Sequence, residues 1–339
     1  MFVCSFFPSI CFLFEFELNL GDPGSPIFEW LRDRWQQVGI TTYGIDCKQF
    51  QNQGIYTRLI DYIDWINSII NLCEITSTTT TISTTTPRIQ PITTPIITIP
   101  PNTTTRKPSK PPQVYQCNTS SACGCGSVPV VLSPYRIVGG ENALKYSWPM
   151  MVAIQWHQED QYWCGGTVLS ESYILTAAHC VEPYNSNPPN RLWITVGTND
   201  RTDFQSIRRT VDYMHVHPNF TNVERDRNHD IALLHLSEPL PFDNRLLVTK
   251  TCIHPLPPSI SNRDSIANGT RLTVIGWGKL GVFESNLPIE LQQVEVHVIH
   301  NDEEVCNNSI HDKAAQFCAG LTEGGKGLQT KEDICLLII

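Results

Sequence analysis

The stretch from Glu74 to Gln113 constrains this chain more than any other, because nearly two thirds of its residues are Thr, Ser or Pro and no helical or alternating apolar period runs through it. Such a segment cannot build a core. Pro removes backbone donors and β-branched Thr favours extended backbone, so the expected form is a semi-extended spacer, a substrate for O-glycosylation in a secreted chain. The 339 residues therefore divide into 1–73 and 114–339. Outside the spacer the chain is suited to packing, with 41% apolar and 17% charged residues overall. Its net charge of -9 and the lack of a dense basic run argue against nucleic acid, whose phosphates need clustered cations. Thirteen cysteines indicate an oxidising compartment, and the odd count leaves at least one without an intramolecular mate.

Residues 1–20 form an apolar leader of uncertain status: no Lys or Arg precedes the apolar run, Pro8 interrupts it, and Glu15 and Glu17 follow at once. It is too short to span a bilayer, and no membrane span is expected. Five N-glycosylation triplets, at Asn102, Asn118, Asn219, Asn268 and Asn307, independently fit an extracellular protein. At the other end, KEDICLLII reads as a cut through a domain.

The second segment contains RIVGGENALKYSWPMMVAIQW, YWCGGTVLSESYILTAAHC, HDIALLHL, LTVIGWGKL and FCAG. Short β-rich runs between Gly, Pro and Asn turns, with no long amphipathic helix, predict an all-β sandwich or barrel. These motifs, in this order from Arg136 to about Gly325, resemble the trypsin-like serine protease family, which implies a double six-stranded β-barrel and hydrolysis of peptide bonds in secreted proteins. Acyl transfer by a hydroxyl needs a base near neutral pH, and the imidazolium that forms needs an ionised carboxylate beside it. The resemblance assigns those roles to His179 in TAAHC and Asp230 in DIALL. It implies disulfides Cys164–Cys180 and Cys306–Cys318, and a bond from Cys252 to either Cys123 or Cys125. It makes Arg136–Ile137 a zymogen cleavage site. It implies protein substrates, protease inhibitors and an activating protease as partners, and no cofactor. After Lys326 the chain departs from the family pattern: Gly327 stands in the specificity position, and Thr330 is the only later hydroxyl.

The closing third of that pattern appears at the front. GDPGSP, TTYG, QGIYT and the helical spacing of Leu59, Ile63, Ile66 and Ile70 resemble the family's nucleophile loop, its pocket strands and its terminal helix, over Gly21 to about Ile70 with the helix at 58–70. Pro23 occupies the nucleophile slot. The hydroxyl is gone, and since Pro has no N–H, one of two oxyanion donors is gone with it. Asp22 matches the partner of the activation amine, and Gly44 and Gly54 match glycines of the specificity pocket. Glu17 falls where the specificity residue sits. Cys47 has Asn19 where its mate is expected, and so looks orphaned.

The expected organisation is a C-terminal protease fragment at 21–73, a spacer at 74–113, a Cys-containing propeptide at 114–136, and a protease domain at 137–339 lacking its C-terminal strands, so each copy is incomplete. Two tandem domains joined by a stalk account for this order. A non-catalytic homologue that binds partners through the same surface is the alternative. A third reading has residues 21–70 fill the barrel left open by 137–325, which a spacer reaching about 40–50 Å permits. Other patterns carry no site: GWGKLG does not open a helix after a strand, CGCG lacks a second cysteine pair, and His215 with His217 lacks a third ligand, so no metal is expected.

Overall fold

The computed structural model describes residues 22–44, 53–77, 111–118, 120–133, 140–156, 162–182, 191–203, 205–222, 227–242, 247–253, 266–279 and 286–320. The leader, Gly21, Cys47, most of the spacer, Arg136, Ile137 and Gly327 lie outside the described residues.

Before the spacer come β1 (Pro26–Leu31), β2 (Arg34–Gly44), β3 (Gln53–Arg58) and helix α1 (Ile63–Ser77). After it come β4 (Gln113–Tyr115), β5 (Val130–Leu132), β6 (Glu141–Asn142), β7 (Met151–Trp156), β8 (Tyr162–Val168), β9 (Tyr173–Thr176) and β10 (Leu192–Val196). The remainder are β11 (Ile207–Val216), β12 (Ala232–Leu236), β13 (Arg271–Gly276), β14 (Gln292–Ile299), the short α2 (Glu304–Asn307) and β15 (Gln316–Gly320). Strand chemistry follows the pattern: in β14 Val294, Val296 and Val298 point inward while Glu295 and His297 are half-exposed, a period of two. Helical structure begins near the expected position as a 3₁₀ turn, Leu59–Tyr62, and α1 carries it on to Ser77, four residues into the stretch whose composition marks it as spacer. Adding residues to an existing helix gains one hydrogen bond per residue fixed, so Thr and Ser at its end are tolerated.

Strands β10-β11-β12-β9-β8-β7 close into one barrel. The second closes as β13-β1-β2-β3-β15-β14 with β14 returning to β13, so three of its six strands precede the spacer and three follow it. Neither segment closes that barrel alone. The seams are antiparallel, with Ile27 opposite Val274 and Phe28 opposite Thr273 at one, and Gln316 to Gly320 opposite Thr57 to Gln53 at the other. The interior mixes both segments: Ile27 and Tyr56 pack with Leu272, Val274, Val296 and Phe317, and Tyr56 stacks on Phe317 at 5.3 Å. Leu59 and Ile66 are buried against the first barrel, as their spacing predicts.

The residues before β6 bind the junction. Two residues, Arg32 and Asp33, both with positive φ, join β1 to β2. Without glycine that turn is strained. It is held from outside, since the Asn118 N–H donates to the Asp33 carbonyl (2.9 Å) and the Trp35 N–H donates to the Gly124 carbonyl (3.1 Å). Gly124 has a φ of +72°, and a Cβ there would lie 2.2 Å from the Trp35 carbonyl oxygen, so both backbone conformation and space require glycine. Cys123 takes Cys252 as its mate and Cys125 bonds to Cys117, a pair that sequence reasoning had not assigned. The expected Cys164–Cys180 and Cys306–Cys318 disulfides are both present.

Phe28, from the first segment, is wholly buried and stacks on Trp148 of the second at 5.2 Å. Phe28→Ala is expected to lower the unfolding free energy of the full chain by about 3–5 kcal/mol. Val114→Ala, at an exposed position on β4, should change it by less than about 0.5 kcal/mol. Urea denaturation of both variants checks the contrast.

Candidate active site

His179 sits on a single 3₁₀ turn, Ala178–Cys180, directly after β9. The Cys164–Cys180 disulfide ties that turn to β8. Asp230 arrives from the other side, on the turn before β12, after His229 with a φ of +53°. Both carboxylate oxygens of Asp230 are engaged: His179 Nδ1 lies 2.8 Å from Oδ2, and the His179 backbone N–H donates to Oδ1 at 2.9 Å. Asp230 is fully buried, and the Thr57 hydroxyl donates to its backbone carbonyl at 3.1 Å. With Nδ1 committed to the carboxylate, Nε2 carries the free lone pair, the arrangement of a general base.

The loop bearing Pro23 is seated beside this pair. The Pro23 carbonyl accepts from the Gly165 N–H at 2.8 Å, the Gly24 N–H donates to the Thr41 carbonyl at 2.9 Å, and the Thr176 hydroxyl donates to the Gly165 carbonyl at 2.8 Å. Gly165 adjoins Cys164, and Thr176 stands three residues before His179. The fit leaves no slack: a Cβ on Gly165 would lie 2.0 Å from Ser25 Oγ, and one on Gly24 would lie 2.4 Å from the Gly165 carbonyl oxygen. Ser25 is therefore wholly buried beneath the loop.

Asp22 is fully buried. Tyr162 donates its hydroxyl to Oδ1, and the Trp277 backbone N–H donates to Oδ2 at 2.6 Å. Burial pushes the carboxyl up to about 6, and the hydrogen bonds from Tyr162 and the backbone pull the other way. Sequence reasoning identified Asp22 but missed Tyr162 and Thr57. Nothing in their residue types marks them, since their partners lie 140 and 173 positions away in the chain. Gly44 and Gly54 face each other across β2 and β3, and Gly54 also pairs with Ala319. Cys164, His179 and Cys180 converge closely enough to suggest a metal, but both sulfurs are consumed in the disulfide and offer no thiolate.

The trypsin family matches residues 137–330. Among curated relatives, transmembrane protease serine 9 of Rattus norvegicus is 29% identical over 90% of this chain, and clotting factor G beta subunit of Tachypleus tridentatus is 29% identical over 60%. Serine proteinase stubble of Drosophila melanogaster is 31% identical over 61% of the chain. The chain spans 28%, 64% and 26% of those relatives' lengths, respectively. No described helix is long and apolar enough to cross a membrane.

The raised Asp22 carboxyl has a definite consequence for stability. Folded protein holds this proton up to about pH 6, while an unfolded chain releases it near its ordinary value of 3.8. Between those values the native state binds more protons, so stability falls as pH rises. The stability of wild type relative to Asp22→Asn is expected to decrease by about 3 kcal/mol from pH 3.5 to pH 7, measured by chemical denaturation at each pH. A flat difference would show that the carboxyl is not desolvated.

Proposed function

Because the chain belongs to the trypsin-like serine protease family, we propose that residues 137–330 derive from a secreted endopeptidase domain activated by cleavage after Arg136, and that Pro23 makes the chain as written catalytically inert. The observation that carries this reading is the pairing of an intact base, His179 held by Asp230 at 2.8 Å, with a docked nucleophile loop that presents a pyrrolidine ring. In the family's reaction His179 Nε2 would take the nucleophile's proton and later return it to the leaving amine, while Asp230 stabilises the imidazolium between the two steps. Pro23 removes the atom that would attack. It also removes an N–H that would stabilise the tetrahedral oxyanion, leaving the base with no proton to accept.

A second reading, a non-catalytic homologue that binds protein or peptide partners through the same cleft, is favoured by Pro23 itself. Gly44 and Gly54, which match glycines of the family's specificity pocket, face each other across β2 and β3, and the His179–Asp230 pair remains intact. Four disulfides and the exposed sequons at Asn118, Asn219, Asn268 and Asn307 support an extracellular, glycosylated protein.

A tandem arrangement accounts for the chain's order. The match to transmembrane protease serine 9 covers 90% of the chain, so it includes residues on both sides of the spacer in one continuous relative. In that reading residues 21–73 end one domain, 74–113 form the stalk, and 114–136 are the propeptide of the next. Where residues 21–70 instead complete the barrel of residues 137–325, Asp22 would receive the Ile137 amine after cleavage.

A fluorophosphonate probe separates the possibilities. Wild-type chain cleaved after Arg136 is expected not to label, since loss of the nucleophile lowers turnover on the order of a millionfold. Pro23→Ser restores both hydroxyl and N–H, and should label in a manner abolished by His179→Ala. Labelling of wild type would refute inertness, and an unlabelled but folded Pro23→Ser would refute the placement of the nucleophile slot.

A further inference from the structure

Two histidines outside the dyad occupy the seam between α1 and the first barrel. The rings of His217 and His229 stack with centroids 4.9 Å apart and planes 17° from parallel. Tyr62 stands edge-on to His217 at 5.2 Å, and Trp65 meets the same ring at 5.0 Å. The Tyr62 hydroxyl lies 3.0 Å from His229 Nδ1. The Asn219 backbone N–H donates to His217 Nδ1 at 3.3 Å, which requires a lone pair on that nitrogen. Tyr62 and Trp65 come from the segment before the spacer, and both histidines from the segment after it.

The seam also adjoins the dyad. His229 directly precedes Asp230 in a left-handed conformation, its carbonyl accepts the Ile231 N–H at 2.8 Å, and the Ile231 carbonyl accepts the His217 N–H at 3.1 Å. We propose that this four-ring seam is an acid-labile clasp, in which protonation of His217 within the stack releases α1 from the first barrel and loosens the turn that carries Asp230.

The chemistry sets the direction. A proton on His217 Nδ1 eliminates the acceptor for Asn219 and places a cation inside the aromatic stack, away from water. Other charged groups reach the seam: Asp61 beside α1, Asp312 before β15, and Asp230 all raise the affinity of Tyr62 for its proton, and their negative charge favours an imidazolium too. Burial prevails over them at His217, which is pushed down to about 4, first by loss of water and then by the neighbouring His229. Tyr62 stays protonated, since burial raises it further above its ordinary range. A histidine freed from the seam takes its proton near 6.5, while the docked ring resists until about 4. Docking is thus complete above pH 6.5 and weakens as pH falls, by about tenfold per pH unit and about 30-fold by pH 5.

Hydrogen exchange of the full chain tests this, with rates corrected for the intrinsic pH dependence of amide exchange. Protection of amides in residues 59–70 is expected to fall about 10–30-fold between pH 7.5 and pH 5 in wild type, and His217→Phe, which keeps a ring in the stack, should remove that dependence. Unchanged protection in wild type, or an equal loss in His217→Phe, would overturn the proposal. The Phe ring is larger than imidazole, so a second measurement on unmodified protein is decisive by itself. The His217 ring-proton resonance should titrate below pH 5, and titration near 6.5 would end the idea.

Discussion

Closure of the second barrel is the constraint on which the rest depends. Strands β13 and β15 would each leave a row of unpaired backbone groups if β1 and β3 were absent, and only a closed ring removes every edge. The three strands before the spacer fill that gap and carry with them the loop around Pro23. Placing the loop correctly and closing the barrel are therefore one event. The loop around Pro23, the Asp22 carboxyl and Thr57, which bonds the Asp230 carbonyl, all arrive with the first segment.

The segment before β6 extends the same logic. Barrel closure pairs strands but leaves the β1–β2 turn strained at Arg32 and Asp33. Residues 117–125, crosslinked internally and to Cys252, cap that turn with backbone hydrogen bonds and place Gly124 where no side chain fits. Trp30, Trp35 and Tyr115 meet there at 4.9–5.3 Å, so aromatic packing covers the junction from outside. The disulfides limit how far the segments can separate, and the aromatic contacts make separation unfavourable.

Within this frame the His179–Asp230 pair and the loop around Pro23 are held by separate sets of contacts. A buried carboxylate orients an imidazole, a disulfide fixes the turn beneath it, and glycine at 165 lets the nucleophile loop approach to van der Waals contact. The loop is held through the Pro23 carbonyl and the Gly24 N–H, and neither bond needs an N–H at residue 23.

The sequence by itself determined the all-β class and the family, and it singled out His179 and Asp230, which the fold brings to 2.8 Å. These are legible because turn chemistry, strand alternation and short motifs are local properties, read within a few residues. The helix on Leu59, Ile63 and Ile66 was legible for the same reason. The mate of Cys252 was not, since Cys123 and Cys125 differ by only two positions and the choice depends on Gly124 fitting against Trp35. Tyr162 at Asp22, Thr57 at Asp230 and the stacked His217 and His229 were equally hidden. Their chemistry arises only when strands distant in sequence share a wall. Spacing along the chain carries no information about such contacts, whereas barrel closure and the burial it imposes decide them.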